Sequence, residues 1–411
     1  MEVYKQSKLM FANNLDTILI VFSFFFSGFV TSRSIVPGIS FPLISIVWLI
    51  FCLPFYYQRK ILPINSTVFS VILFLFIVLF SGALNFGNQY SNGDTVSIFG
   101  SIALYFILIS LLDSYDLIKK VLLVNIVITI PIVLVMSIRS WFFLNSMWLS
   151  PYWENNYALG KNTVGFFTVF CFNYLYAFFL HKKTVIKFLG LIILFIVTIY
   201  TISRGALISL AIIILLTPIF TSNKKSSISN IVMIIATYIM LVNIFNFNPI
   251  SNFIDIKQRG NAALMDYQID DISAGNFLNI FSSNSPGSKY GYSQRVSHWI
   301  TTFKSFKIRP LFGSGVGSFR RNEGTLSHND YLTITYEYGI VGLMLFFFIG
   351  FKHFYGAVKS KNLIHIKYRW IGEATLLQMI ILAFTCLTVD SYMIPFTWYV
   401  LAISYAIGNT E

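Results

Sequence analysis

The sequence predicts an all-α integral membrane protein with about twelve transmembrane helices. Of its 411 residues, 56% are hydrophobic and only 11% are charged, whereas soluble domains carry roughly 25% charged residues. Apolar runs of about 17 to 25 residues recur along most of the chain, and each could cross a hydrocarbon core about 30 Å thick as a helix. The alternating polar and apolar segments of an outer-membrane barrel are absent.

Short polar turns separate the predicted spans, with one exception late in the chain. The spans cover residues 17–31, 40–57, 67–84, 96–112, 118–138, 163–180, 185–201, 204–220, 229–247, 333–351, 373–389 and 391–408. No small-residue cleavage site follows the first run, so we expect a retained span and not a signal peptide. The expected organisation is therefore nine spans within residues 1–247, a large external loop at 248–332 and three spans within 333–411.

Both termini are predicted to be cytoplasmic, because lysine and arginine concentrate in the segments that this orientation places inside. The short outer loops hold only Arg33, Arg139, Lys161 and Arg204. Most of the net charge of +13 is therefore a topological signal and a means of contact with anionic membrane lipids. We expect no nucleic-acid partner.

Ionisable residues are scarce at the centres of the predicted spans. A transporter of this size should place such residues near the bilayer midplane, but Arg204, Glu337, Glu373 and Asp390 all fall at span ends. Charge is thus concentrated at the outer surface, which favours an enzyme working at the external face over a carrier.

The second half of the external loop is predicted to contain an amphipathic helix. Apolar residues recur there at three- and four-residue steps, which gives one helical stripe ended by Pro310: Val296, Trp299, Ile300, Phe303 and Phe306. Tryptophan beside lysine suits the membrane interface. A surface anchor or lid without chemistry therefore remains an alternative to a functional site.

The segment SHNDYLTITYEYGIVG, residues 327–342, sets polar groups directly before an apolar run. Ser327 stands where it could cap a helix. In the predicted topology His181, His353 and His365 are cytoplasmic, so that only His298 and His328 can act as a near-neutral base outside. Glu337 lies about half a turn away from the His328 face on a regular helix, and contact between them would need a kink or an unwound turn.

A second polar stretch, TISRGALISL at residues 201–210, opens a predicted span on the outer side. Ser203 is an N-cap candidate, and the free N–H groups at a helix start favour an anion. Arg204 adds a planar fork suited to phosphate oxygens, although a snorkelling arginine is the alternative. Arg204, Arg295 and His328 together predict a cationic site with one base beside the bilayer, suited to a lipid-anchored diphosphate.

Neither a cofactor nor a metal ion is expected. Cys52, Cys171 and Cys386 all fall inside predicted spans, where they behave as small hydrophobes and indicate no disulfide or thiolate metal site. No outer DxD pair is present. The stretch GSGVGSF, residues 313–319, follows a helix and a proline instead of a strand, so we interpret it as a turn and not as a dinucleotide fingerprint.

Three pieces of the chain resemble the O-antigen ligase and O-antigen polymerase superfamily of bacterial inner-membrane glycosyltransferases. They are SRGAL at 203–207, QRVSHWITTFKSFKIRPLFGSGVGSF at 294–319 and SHNDYLTITYEYGIVG at 327–342. The twelve spans and the late periplasmic loop match the same architecture, which implies a GT-C-like fold. The resemblance implies that Arg204 and Arg295 bind the diphosphate of an undecaprenyl-diphosphate-linked oligosaccharide and that His328 acts at the acceptor hydroxyl. From its place at a helix start, Ser203 is a further candidate for the diphosphate site, and Glu337 is the weaker catalytic candidate.

The implied reaction is an inverting glycosyl transfer at the periplasmic face, and two acceptors stay open. A polymerase extends another lipid-linked repeat unit at its nonreducing sugar, whereas a ligase transfers the finished chain to lipid A core. The 43 phenylalanines and the many Ile, Asn and Lys residues resemble the composition of polymerases from O-antigen clusters. This resemblance favours a polymerase, for which a chain-length regulator is a candidate partner. An R-x10-G pattern reported for some polymerases is absent, because Leu215 and Phe306 stand where its glycines would fall. A flippase for lipid-linked oligosaccharide is the non-enzymatic alternative.

Overall fold

The computed structural model describes residues 16–24, 65–84, 89–142, 152–153, 157–158, 161–201, 203–245, 292–324, 327–363, 365–388 and 391–409. The predicted span at 40–57 lies outside these residues, and so does the first half of the external loop.

Helices make up nearly all of the described chain. They are α1 Ser66–Leu84, α2 Gln89–Leu111, α3 Tyr115–Phe142, α4 Lys161–His181, α5 Val185–Tyr200, α6 Arg204–Phe220, α7 Lys224–Phe245, α8 Tyr292–Ile308, α9 Ser318–Glu323, α10 Asp330–Leu363, α11 Arg369–Thr385 and α12 Pro395–Asn409, besides helical residues 16–24. A short 3-10 turn, Ile366–Tyr368, precedes α11. Strands β1 Tyr152–Trp153 and β2 Tyr157–Ala158 form a small antiparallel pair before α4.

The helical membrane class is confirmed, because five helices of the described residues are long and apolar enough to cross a bilayer. These are α1, α2, α3, α4 and α10, while α5 and α6 are apolar but shorter. Within the described ranges, helices coincide with the predicted spans from 67–84 onward. The total of twelve spans and the orientation in the membrane stay predictions.

Helix α12 lies at the centre of the described bundle and contacts α2, α10 and α11. Its residues from Pro395 to Ile407 are all buried, as expected for a helix that is apolar on every side. By contrast, α1 exposes Phe69, Phe76 and Phe80. Such an apolar outer face suits contact with lipid chains.

Helix α10 reverses direction at Gly339. Its dihedral angles there, φ 65° and ψ −161°, are not helical. The rings of Tyr331 and Phe347 stack 5.1 Å apart, although their positions would be about 24 Å apart along a straight helix. A short helix, residues 330–338, therefore packs against the start of a long one, residues 340–363. The predicted span 333–351 is thus not one continuous helix.

Glycine is required at this reversal for two reasons. A positive φ is strained for any side chain, and a Cβ at Gly339 would collide with the carbonyl of Leu311. The loop 309–313 holds the reversal in place, since Ile340 N donates to Pro310 O at 2.8 Å.

His353 is buried inside the bundle, whereas the predicted topology assigned it to the cytoplasmic side. Its Nε2 atom lies 3.0 Å from the Tyr105 hydroxyl and its Nδ1 atom 2.7 Å from Ile349 O. Ser404 donates to the His353 carbonyl. His353 therefore ties α10 to α2 and α12.

Candidate active site

His328 projects outward from a turn whose two neighbouring residues are buried. Ser327 is 2% exposed and Asn329 is 7% exposed, whereas the His328 side chain is exposed. The φ of His328 is 56°, and within the described residues it is the one non-glycine residue with a positive φ. Such a conformation is uncommon and persists where the surroundings hold it.

The polar neighbours of His328 explain how that backbone is held. Asn329 caps the short helix, because its Oδ1 accepts from Leu332 N at 3.2 Å. The Ser327 hydroxyl accepts from Asn329 N at 3.0 Å and pairs with Thr333 Oγ1 at 2.6 Å. The expectation that Ser327 caps the helix is therefore corrected, since the cap lies two residues later.

Asp330 attaches this turn to the C-terminal end of α11. Its backbone N–H donates to Cys386 O at 2.7 Å. Its carboxylate accepts from Tyr392 N at 3.1 Å and from the Ser391 hydroxyl. Asp330 is fully buried. The start of the short helix is therefore fixed against the chain that connects α11 to α12.

Helix α8 packs against the same turn through His298. The His298 ring is buried, its Nδ1 lies 3.3 Å from Ser327 O, and it meets the Phe319 ring edge-on at 5.2 Å. Arg295 lies on α8 less than one turn before His298. The backbone of Arg295 therefore lies near the His328 turn.

The predicted amphipathic helix is present as α8, and its apolar stripe faces outward. Trp299 is 43% exposed and Phe303 is 50% exposed, whereas His298 and Thr302 are buried. The polar face of α8 thus packs on the protein. The outward stripe fits the predicted contact with a membrane surface.

Ser203 and Arg204 begin α6 beside the same end of α11. Ser203 is buried and caps α6 as predicted, since its hydroxyl accepts from Ala206 N at 3.4 Å. A Cβ built on Gly205 would lie 3.1 Å from Thr388 Oγ1. The backbone at Arg204 therefore adjoins the turn at residues 386–388.

The structure thus links the segments that carry Arg204, Arg295 and His328. The first adjoins Thr388, which is two residues after the Cys386 carbonyl that binds Asp330. The second lies on the helix whose His298 contacts Ser327. Segments that are distant in sequence meet around one end of α11.

Glu337 lies at the opposite end of the short helix, about 10 Å of helix rise beyond Asp330. It is 1% exposed, and its carboxylate accepts from Phe319 N at 3.4 Å and from the Tyr392 hydroxyl at 3.2 Å. The reversal at Gly339 comes after Glu337, so it does not bring Glu337 to the His328 turn. The Glu337 carboxylate instead contacts the start of α9 and the Tyr392 hydroxyl.

Residues 313–317 of the stretch GSGVGSF form a turn, as predicted, and Ser318 and Phe319 begin α9. Gly313, Gly315 and Gly317 have positive φ, and a Cβ on Gly313 would collide with the backbone of Glu337. Ser314 N donates to Tyr336 O at 2.8 Å and Gly315 N to Glu337 O at 2.9 Å. The glycines therefore let this loop lie directly on the end of the short helix.

Charged side chains also connect this loop to α2. Nη1 of Arg320, on α9, lies 3.9 Å from Oδ1 of Asp94, and the Arg320 guanidinium lies 5.0 Å from the Tyr90 ring centre. Within the described residues, no group of three or more His, Cys, Asp or Glu side chains is arranged to hold a metal ion.

Sequence reasoning missed the positions that join these segments, namely Asp330, Ser391 and Tyr392. Asp330 stands in the SHND motif, but its partners lie about sixty residues further along the chain. The signal that could have identified it is an acidic residue at a helix start that opens onto an apolar run.

A family comparison identifies the domain that holds these residues. Residues 189–347 match the model of a family described as O-antigen ligase, and that range includes Ser203, Arg204, Arg295, His328 and Glu337. The predicted resemblance to the O-antigen ligase and polymerase superfamily is confirmed. No curated protein matches the chain.

The chain is therefore a multi-pass membrane protein, and its residues 189–347 are similar to a glycosyltransferase-like enzyme family. This similarity supports a function of the ligase or polymerase type in O-antigen or lipopolysaccharide biosynthesis.

Proposed function

We propose that this protein is an O-antigen polymerase. In this proposal it transfers a glycan from undecaprenyl diphosphate to the nonreducing sugar of another lipid-linked repeat unit, at the periplasmic face of the bacterial inner membrane. The observation that carries the proposal is His328, an exposed imidazole on a left-handed turn that Asp330 connects to the end of α11 near the start of α6. An imidazole is the side chain best suited to move a proton near neutral pH.

The proposed reaction is a single inverting displacement. The acceptor hydroxyl oxygen forms a bond to the anomeric carbon while the bond from that carbon to the diphosphate oxygen breaks. His328 takes the hydroxyl proton, and undecaprenyl diphosphate leaves with the bonding electrons. Arg204 and Arg295 stabilise the negative charge that develops on the leaving group, with the N–H groups at the α6 start that Ser203 caps.

For Glu337 we propose a supporting role and not contact with the acceptor. Its carboxylate is buried against Phe319 N and the Tyr392 hydroxyl, about 10 Å of helix rise from the start of the His328 helix. In this role it keeps the loop 313–319 over the short helix.

A ligase is the second candidate, and the description of the matched family favours it. A ligase would use the same donor and the same proposed residues, with lipid A core as the acceptor. The composition of the chain, with 43 phenylalanines, favours the polymerase. Cells that lack the protein separate the two. Single repeat units on lipid A core would support the polymerase, whereas long undecaprenyl-linked chains beside bare core would support the ligase.

Purified protein in lipid vesicles tests the enzyme class. We expect new glycosidic bonds from an undecaprenyl-diphosphate-linked donor without ATP and in the presence of a chelator. Movement of the lipid between leaflets without bond formation would instead indicate a flippase. Coexpression with a chain-length regulator should narrow the product length if the protein is a polymerase.

A further inference from the structure

We propose that Asp330 is a positioning residue that keeps His328 at a fixed distance from the proposed diphosphate site at Arg204. This inference rests on the function proposed above. Asp330 is two residues from His328 and carries none of the roles that the sequence assigned.

The contacts of Asp330 are those of a buried anchor. Its carboxylate accepts from Tyr392 N at 3.1 Å and 3.2 Å, one contact to each oxygen, and from the Ser391 hydroxyl. Its backbone N–H donates to Cys386 O at 2.7 Å. The start of the short helix is therefore bound to both ends of the α11–α12 connection, at Cys386 and at Ser391 and Tyr392.

The same connection lies beside the start of α6. Thr388 is two residues after Cys386, and its Oγ1 would lie 3.1 Å from a Cβ on Gly205. Hydrogen bonds thus connect the His328 turn through Asp330 to the end of α11, which closely approaches Gly205, the residue after Arg204. Displacement at Asp330 would change the distance between the base and the diphosphate ligand.

The backbone of His328 makes this position sensitive. Its φ of 56° is strained and has to be imposed by its surroundings. Asn329 and Ser327 fix the turn internally, and Asp330 fixes the turn to the rest of the protein. A misplacement of about 1 Å in an aligned site costs about 10²-fold in rate. A loosened Asp330 should therefore lower kcat, while donor binding by the arginines persists.

The test compares Asp330→Asn and Ser391→Ala with a matched control, Glu373→Gln. Glu373 is also a buried carboxylate that accepts from a hydroxyl, Thr221 Oγ1 at 3.1 Å, and from a backbone N–H, Ser222 N at 3.0 Å. It lies at the other end of α11, outside the proposed site. All proteins are assayed in lipid vesicles for kcat, for KM of the lipid diphosphate donor and for unfolding temperature.

We expect Asp330→Asn to lower kcat by about 10- to 100-fold with a nearly unchanged donor KM. Ser391→Ala should produce a smaller loss in the same direction, and this milder variant serves if Asp330→Asn does not fold. Glu373→Gln should lower the unfolding temperature but keep kcat per folded molecule.

Different outcomes separate the two proposals. A wild-type protein that transfers no glycan would overturn the proposed function, and the positioning role with it. If the wild type transfers glycan and both Asp330→Asn and Ser391→Ala keep full kcat, the positioning role alone is overturned. A kcat loss that Glu373→Gln reproduces would show that both carboxylates only support folding.

Discussion

The hydroxyl of Tyr392 lies 3.2 Å from the carboxylate of Glu337, while the backbone N–H of Tyr392 donates to Asp330. One residue therefore holds both ends of the short helix 330–338. His328 lies two residues before that helix. The position of His328 therefore depends on Tyr392, which is more than sixty positions away in the sequence.

Replacing His328 by alanine should abolish glycan transfer. Removal of a general base typically costs 10² to 10⁴ in rate, so we expect a loss of about that size. The measurement is transfer by purified protein in vesicles. His365→Ala is the control, because His365 is also exposed but lies in the α10–α11 connection. Near-normal transfer by His328→Ala would disprove the assignment of the base.

Replacing Arg204 or Arg295 by lysine should weaken donor binding. A lysine keeps the charge but loses the planar fork that binds two phosphate oxygens. A hydrogen bond to a charged group contributes about 1.5–3 kcal/mol, so we expect donor Kd to rise by about 10-fold or more. Arg369→Lys, which lies near Glu373 on α11, should leave Kd unchanged. Wild-type donor Kd in both test variants would remove the arginines from the site.

Replacing Tyr392 by phenylalanine should destabilise the protein by about 1–3 kcal/mol, because the buried Glu337 carboxylate loses a hydrogen-bond donor. Thermal unfolding in detergent measures this change. The matched control is Tyr238→Phe, since the Tyr238 hydroxyl has no hydrogen-bond partner among the described residues. Equal unfolding temperatures for the two variants would show that the Tyr392 contact contributes nothing.

Replacing Gly339 by alanine should prevent the reversal of α10. The new Cβ would meet the Leu311 carbonyl, and φ 65° is strained for alanine, so we expect a loss of several kcal/mol or no folded protein. Gly350→Ala is the control, because a Cβ there meets nothing within 4 Å and alanine favours a helix by about 1 kcal/mol. Comparable yields of folded protein for Gly339→Ala and Gly350→Ala would contradict the reversal at Gly339.

The sequence predicted the helices well where one run of apolar residues makes one element. The cap at Ser203 could also be predicted, because an N-cap acts within the first helical turn. At the start of the short helix 330–338, residue type alone did not identify the N-cap, because Ser327 and Asn329 are both good cap residues. The contact of Asp330 N with Cys386 O, from a distant segment, fixes where that helix starts.

The reversal at Gly339 could not be predicted, because a single glycine in an apolar run usually remains helical. What distinguishes Gly339 is its contact with the loop at Leu311, which depends on tertiary structure. The burial of His353 could not be predicted for a related reason. Neighbouring lysines indicate the side of the membrane, but only the packed bundle shows that this ring meets Tyr105.

The reversal at Gly339 also determines how far from the bilayer surface an isoprenoid carrier would have to place its phosphates. Tyr331 is level with Phe347, so the His328 turn lies about 12 Å inward of Gly339 along the long helix. In the predicted orientation, inward means toward the head groups. The phosphates of a membrane-anchored lipid cannot move far into the aqueous compartment. They would therefore not reach a catalytic group at the tip of the external loop. By folding back, the hairpin would bring the imidazole of the proposed base down to the proposed lipid-linked substrate.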